Sequence, residues 1–272
     1  MKISIMLGLT LIISSWTYIF TAEGAHLSLI FSSTTGQQLK EFITQLIGSG
    51  APDNAFLSAE SRQQAIFLSF QTLKMSIMAI GLAAVGMLLT VVPAAHNVAD
   101  GTLSLSRSVY GRVMFFIIRA SYIFSRAIPE LIWAMLIIFL FRPGIIPGAI
   151  ALAIHNFGIL GKLCAEVIED LDERPIRSLR NSGAGSAQVL FYGILPTVAP
   201  KFITYLLYRW EVIIRTSIIV GFVGAGGLGR QFRLSMSWFH YTEVALLLTC
   251  YAVLVLFVDL LAGFLRKVVQ EA

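Results

Sequence analysis

The sequence predicts an all-α, polytopic membrane protein with about six transmembrane helices. Three observations carry that expectation. Of 272 residues, 57% are hydrophobic and only 13% charged, about half the charge of an ordinary soluble domain. Mean hydropathy is +0.80. Apolar runs long enough to cross a hydrocarbon core of ~30 Å recur along the chain, and one long polar segment, residues 169–197, divides the C-terminal half.

The first run, residues 3–22, follows Lys2. Phe20-Thr21-Ala22 is a poor cleavage site and Ala22-Glu23-Gly24 a better one, so a cleaved leader and a retained span are both open. The length of the run favours a retained span. Residues 23–64 are polar, with Pro52-Asp53-Asn54 and one amphipathic piece. In that piece Leu39, Phe42, Ile43, Leu46 and Ile47 follow helical spacing. It fits a helix lying in the membrane interface or a loop helix packed on other spans. Further runs cover 66–93, 113–141, 146–167, 198–223 and 241–265. Pro129 should kink the third run or end its first half. The chain therefore reads as an N-terminal anchor with a polar segment, 1–65, and a membrane domain, 66–272.

Six spans put 94–111, 169–197 and 266–272 on the side of the N-terminus. With Lys2 that side holds Arg107, Arg174, Arg177, Arg180, Arg266 and Lys267. The opposite side holds Lys40, Arg62, Arg142, Arg230 and Arg233. Arg112 and Arg119, at the entry of the third span, strengthen the bias. The excess places residues 169–197 and both termini in the cytoplasm.

The polar segment predicts a short helix. Pro175 suits its first position, where a missing N–H costs nothing. Asp172 and Glu173 precede it and Arg177 and Arg180 lie near its end, matching the helix dipole. Gly183 and Gly185 can stop it with positive φ. Ile176, Leu179 and Gly183 share one face. A second turn, 187–192, leads into Pro196 and Pro200.

Charges inside the apolar runs are the chemical clue. A lone arginine or glutamate at mid-bilayer costs about 2.5–3.5 kcal/mol on insertion scales, so it needs a partner or a water-filled cavity. Arg126 and Glu130 are i, i+4 across Pro129, and Glu211 and Arg215 are i, i+4 in the fifth run, with Arg209 beside them. Either these five residues only pair and fix helix packing, or they line a path for an anion. Lys162 and Glu166 read as a structural pair, His155 as a hydrogen-bonded packing residue, and Asp259 as near enough to the span end to meet interfacial water.

Cys164 and Cys250 lie in apolar runs and read as small buried hydrophobes. His26, His96, His155 and His240 show no metal-ligand spacing, so no metal site is expected. No Walker A sequence occurs, so any ATP is bound by another chain. Residues 224–229, GAGGLG, match G-x-G-x-x-G, but a membrane-length run precedes them and the next acid, Glu243, comes too early for a dinucleotide fold. Gly224, Gly226, Gly227 and Gly229 should instead make a sharp turn on the side opposite the polar segment.

Gly183, nine residues, then Gly193-Ile194-Leu195-Pro196 resembles the signature loop of ABC-importer permeases, E-A-A-x3-G-x9-I-x-L-P. Arg177-Ser178-Leu179 stands where that motif has E-A-A, and Gly193 where it has isoleucine. Residues 126–134, RAIPELIWA, look like the R-S-I-P-E-L-V-W-A segment of phosphonate-type permeases. Leu152-Ala153-Ile154-His155 with Leu160-Gly161-Lys162-Leu163 resembles their fourth span. Tyr208-Arg209-Trp210-Glu211, Ile214-Arg215-Thr216-Ser217 and residues 221–229 resemble their fifth. The likeness covers about residues 66–265.

The resemblance implies a type I ABC importer permease core of five helices with an added N-terminal span, in a bacterial inner membrane. It implies a path for phosphonate, phosphite or hypophosphite along Arg126, Glu130, Arg209, Glu211 and Arg215. It implies a coupling loop in which Pro175, Ile176, Leu179, Gly183, Gly185, Leu195 and Pro196 meet a cytoplasmic ATPase. Two ATPase subunits carrying ATP and Mg, a periplasmic binding protein and a second permease copy are the implied partners. No cofactor on this chain and no catalysis by it are implied. A secondary transporter, or a permease for another small anion, is the alternative; an enzyme acting on lipid phosphate would need a catalytic constellation that the sequence does not assemble.

Overall fold

The computed structural model describes residues 2–22, 32–48, 54–101 and 109–271, and the regular structure among them is helical. The expectations placed on Glu23-Gly24, His26, Pro52-Asp53 and Arg107 fall outside those residues. The chain divides into two compact units, Met1–Pro52 and Asp53–Ala272. Ser58 Oγ accepts from Ser61 N at 3.3 Å and starts the next long helix at Ala59, so residues 59–65 belong to that helix.

In the first unit, α1 (Lys2–Ala22) is membrane-length and apolar. α2 (Ser33–Ile47) begins where Ser32 Oγ accepts from Thr35 N at 3.2 Å and ends at Gly48, φ 76°. It contains the amphipathic piece expected at 39–47.

In the second unit, α3 (Ala59–Thr90) leads through a short turn helix α4 (His96–Ala99) to α5 (Val109–Ala127), α6 (Glu130–Leu140) and α7 (Ile145–Glu169). The loop helices α8 (Glu173–Asn181) and α9 (Ser186–Gln188) follow. A π-turn, Val189–Ile194, opens α10 (Leu195–Val220), and a second, Gly221–Ala225, closes it. α11 (Gly227–Ser237) and α12 (Tyr241–Glu271) complete the unit. Across the described residues five helices are long and apolar enough to cross a membrane, or six with α5 and α6 taken as one bent span.

α7 is the centre of this unit. In it 61% of the apolar window is buried, against 33% or less in the other membrane-length helices. Small residues make that possible, because lipid gives helices no hydrophobic reason to associate and close packing must do it. A Cβ on Gly158 would press on Tyr122 O and Ser125, one on Gly161 would overlap the Tyr122 ring, and one on Gly148 would meet Ala225 and Met75. At the far end Glu169 accepts from His96 N at 2.7 Å and pairs with Arg119, whose Nε donates to Ala94 O at 2.9 Å. This ties the ends of α3, α5 and α7 together on the side of the polar loop.

The third run is more than kinked. α5 and α6 meet at 93°. Pro129, φ −56° and ψ 147°, cannot donate to the helix and drives the residue before it out of the helical region. The carbonyls this exposes need partners in a membrane. Trp133 Nε1 donates to Ser125 O at 3.0 Å, and His155 Nδ1 lies 2.9 Å from Ile128 O. His155 is thus the hydrogen-bonded packing residue expected of it.

α11 was not foreseen. Its apolar residues are few, and the glycines before it read only as a turn; Leu228 N donating to Thr72 Oγ1 at 2.9 Å anchors its start on α3.

Candidate functional site

α10 carries Arg209, Glu211 and Arg215 within two turns in the middle of a membrane-length helix, and its two sides differ. On the buried side Trp210 Nε1 donates to Ser76 Oγ at 3.1 Å. Arg209 donates through Nε and Nη2 to Asn156 Oδ1 at 2.9 and 2.6 Å. Asn156 is itself oriented by donating to Leu152 O at 2.7 Å. Glu211, only 8% exposed, has Oε1 2.7 Å from Arg266 Nη1, a close charge contact off the hydrogen-bonding direction.

The expected Glu211–Arg215 pair does not form. Arg215 Nη2 instead reaches both oxygens of Asp259, at 2.9 and 2.8 Å. α12 runs beside α10 and presents Asp259 and Arg266 seven residues apart, two turns on one face. Glu211 and Arg215 each find their opposite there. Asp259, expected to reach interfacial water, is the holder of Arg215, and Glu211 is buried against α12. The signal available in the sequence was that i, i+7 pair of charges in an otherwise apolar helix.

The open side of α10 is unlike that of a lipid-facing helix. At helical spacing it shows Thr197, Lys201, Thr204, Tyr208, Val212, Arg215 and Ile219, each exposed or half-exposed. Five of these seven are polar.

At the α5–α6 break lies a second polar group. The expected Arg126–Glu130 pair is absent, because the right-angle turn separates two residues that a continuous helix would stack. Glu130 Oε2 lies 3.3 Å from His155 Nε2. Arg126 is half-buried and makes no ion pair or side-chain hydrogen bond among the described residues. Glu130, His155, Asn156 and Arg209 therefore gather from three helices, with Arg126 at the end of α5 next to the break, while Glu211 and Arg215 stand on the α12 side.

The polar loop folds back on its own chain. Asp172 caps α8 by accepting from Arg174 N at 3.0 Å, so the helix opens at Glu173 and Pro175 is its third residue, not its first. Gly183, φ 90°, ends it, with Gly183 N donating to Arg180 O and Ala184 N to Leu179 O. Gly185 has φ −72° and starts α9 rather than stopping α8. Ile176 is 3% exposed, packed in one cluster with Val189, Ile194 and Val198. Leu179 leans on Gly193, where a Cβ would stand 3.0 Å from Leu179 Cδ1. The expectation that Ile176 inserts into another subunit is thus corrected: the apolar stripe of an amphipathic loop helix found its own core. The face left outward carries Arg174, Pro175, Arg177, Gly183 and Pro196, with Phe191 and Tyr192 exposed on the π-turn; Leu195 is half-buried.

The glycine turn lies at the opposite end, against Met75, Gly148 and Thr72. Gly224, Gly226 and Gly227 have φ of 112°, 89° and 66°, a region L side chains avoid. Gly229 has φ in the ordinary range but abuts Gly221 and Ile218 O so closely that a Cβ would collide. A helix, not a strand, leads into the motif. Lys162 and Glu166 pair at 3.2 Å, and Cys164 and Cys250 are free thiols, buried and half-buried.

The structure resembles that of the MetNI methionine ABC transporter in an inward facing conformation, with a TM-score of 0.67 over 78% of this chain and 99% of that one, at 18% identity. That likeness shows the fold. The phosphite transport system permease protein PtxC of Stutzerimonas stutzeri is 37% identical over 72% of this chain and 68% of its own length. The phosphate-import permease protein PhnE of Mycolicibacterium smegmatis is 33% identical over 56% of this chain, a stretch that spans only 29% of that relative. Residues 98–271, from the short helix α4 through both polar groups to the end of α12, match the model of the binding-protein-dependent transport system inner membrane component; the chain belongs to that family, as a multi-pass membrane permease and not as an enzyme.

Proposed function

We propose that this permease carries small phosphorus oxyanions (phosphonate, phosphite or hypophosphite) across a bacterial inner membrane. A periplasmic protein delivers them, and a separate ATPase carrying ATP and Mg drives the step. The open face of α10 carries the reading. Lys201, Thr204, Tyr208 and Arg215 cannot rest against hydrocarbon without a cost of several kcal/mol in all, so that face borders water or another protein. A second copy related by a twofold axis meets the need most simply. The path then runs between two α10 helices, and Arg126, Arg209 and Arg215 supply its positive field. The names of the relatives supply the oxyanion.

The excess of Lys and Arg on the loop side supports a cytoplasmic loop and cytoplasmic termini. There the outward face of α8, with Phe191 and Tyr192, meets the ATPase, and Ile176 and Leu179 buttress it from within. The family's coupling loop supports the same placement.

The test is uptake of labelled phosphite into vesicles holding the permease, its ATPase and its binding protein. Import that requires ATP and the binding protein supports the reading. Import driven by an ion gradient without the ATPase makes the chain a secondary transporter, and import of another anion alone removes the phosphorus substrate.

A further inference from the structure

At the glycine end an open cavity of 560 Å³ lies between α3, the turn joining α6 to α7, and the start of α11. Its wall includes Gln71, Arg142, Gly144, Ile145, Gly226 and Arg230. The volume is within the range of small-ligand sites, ~300–1,000 Å³.

We propose that this cavity is a receiving site in which Arg142 and Arg230 hold a small tetrahedral phosphorus oxyanion before it enters the membrane path. The inference rests on the transport reading above and adds a site to it. Arg142 and Arg230 are both exposed, and neither has an acidic partner among the described residues. The arginines within the membrane-length helices and the polar loop are mostly held, Arg119 by Glu169, Arg177 by Glu173, Arg209 by Asn156, Arg215 by Asp259 and Arg266 by Glu211, whereas Arg142 and Arg230 line one cavity with no acid between them. A guanidinium offers a planar fork of donors that matches two oxygens of a tetrahedral anion at once. Gln71 adds an amide donor of no charge.

The backbone around the cavity reinforces the sign. α7, 25 residues long, and α11, 11 residues long, both begin at its wall, at Gly144 and Gly226. Neither start has a side-chain cap, and neither has an acid in its first turn. Nothing at either start cancels the positive field of the arginines. The cavity is open and wet, so the anion keeps part of its hydration and leaves readily. That weak hold suits a step between release from a carrier and entry beside Arg215, which lies toward the same end of α10. Positive charge at a mouth also raises the local concentration of an anion and falls in effect as salt rises.

The measurement is phosphite imported per ATP hydrolysed by the full complex of permease, ATPase and binding protein in vesicles. The double variant Arg142→Gln/Arg230→Gln lowers that ratio ~5- to 10-fold, each single variant ~2- to 3-fold, as expected for exposed charge contacts. Arg142→Lys/Arg230→Lys recovers most of the loss at low salt. A ratio equal to that of the unmodified complex overturns the site. So does a parallel fall of import and hydrolysis at constant ratio, since the arginines would then serve docking of the binding protein. Should the double variant fail to assemble, the single variants decide by the same ratio. If the unmodified complex imports neither phosphite, hypophosphite, methylphosphonate nor phosphate, the transport reading fails and the site with it. If it imports one of them and the arginine variants are indifferent, only the site is lost.

Discussion

α10 and α12 pack against each other and are both membrane-length, yet their uncovered faces have opposite chemistry. The open face of α12 shows Leu248, Val253, Leu256, Phe257, Leu260, Phe264 and Leu265. The open face of α10 shows Thr197, Lys201, Thr204, Tyr208 and Arg215. Two helices in one bilayer with such different surfaces cannot have the same neighbours. α12 suits lipid; α10 suits water. Asp259 and Arg266 of α12 are turned toward α10 as clamps, while Lys267 and Glu271 stand exposed at its last turns, beyond the apolar stretch. Polar open surface and structural clamping therefore divide across a single helix–helix seam.

The largest expected effect comes from breaking the clamp on its buried side. Glu211→Ala leaves Arg266 without its opposite in a part-buried site, a loss of about 3–5 kcal/mol. Thermal unfolding of the detergent-solubilised permease should show a large drop in Tm. Glu211→Gln/Arg266→Met should regain most of it; if Glu211→Ala alone is as stable as the wild type, the seam is not a clamp.

Arg215 sharpens the comparison, because it belongs to both sides: open to the polar face and held by Asp259. Arg215→Gln should assemble with the ATPase and lose about tenfold in phosphite uptake, equivalent to ~1.4 kcal/mol. The exchange Arg215→Asp/Asp259→Arg should keep the complex folded. Uptake restored by the exchange would reduce Arg215 to a clamp; uptake still lost assigns it to the path.

The smallest effect belongs to the apolar face. Leu260 is 75% exposed on α12, and Leu260→Ala should change stability and uptake by no more than about 0.5 kcal/mol. A severe uptake defect there would show that α12, and not only α10, borders the path.

The sequence carried the helices better than their faces. Apolar runs located α1, α3, α7, α10 and α12, since a span must satisfy its backbone internally and so declares itself in length. Pro129 announced a break but not its angle, which depends on Trp133 and His155 being able to take up the freed carbonyls. The intramembrane charges were visible and their pairing was not. Spacing along one helix favoured Glu211–Arg215 and Arg126–Glu130, and long-range partners on α7 and α12 prevailed in both cases. The stripe Ile176–Leu179 was legible as a face, but a stripe does not say which apolar surface it will cover. The open side of α10 went unread because it is defined by what packs against the opposite side.

The π-turn that opens α10 bears on how the gene can change length. A π-turn holds one residue more than an α-turn without ending the helix. Deleting Gly193, inside the first π-turn, should let that turn tighten to an α-turn and leave the rest of α10 facing as before. Deleting Ile213, mid-helix, removes ~100° of rotation from all that follows and swings Arg215 off the open face and away from Asp259. Uptake should survive the first deletion far better than the second, so the opening turn of this helix is where a deletion can be absorbed while its middle admits substitution only.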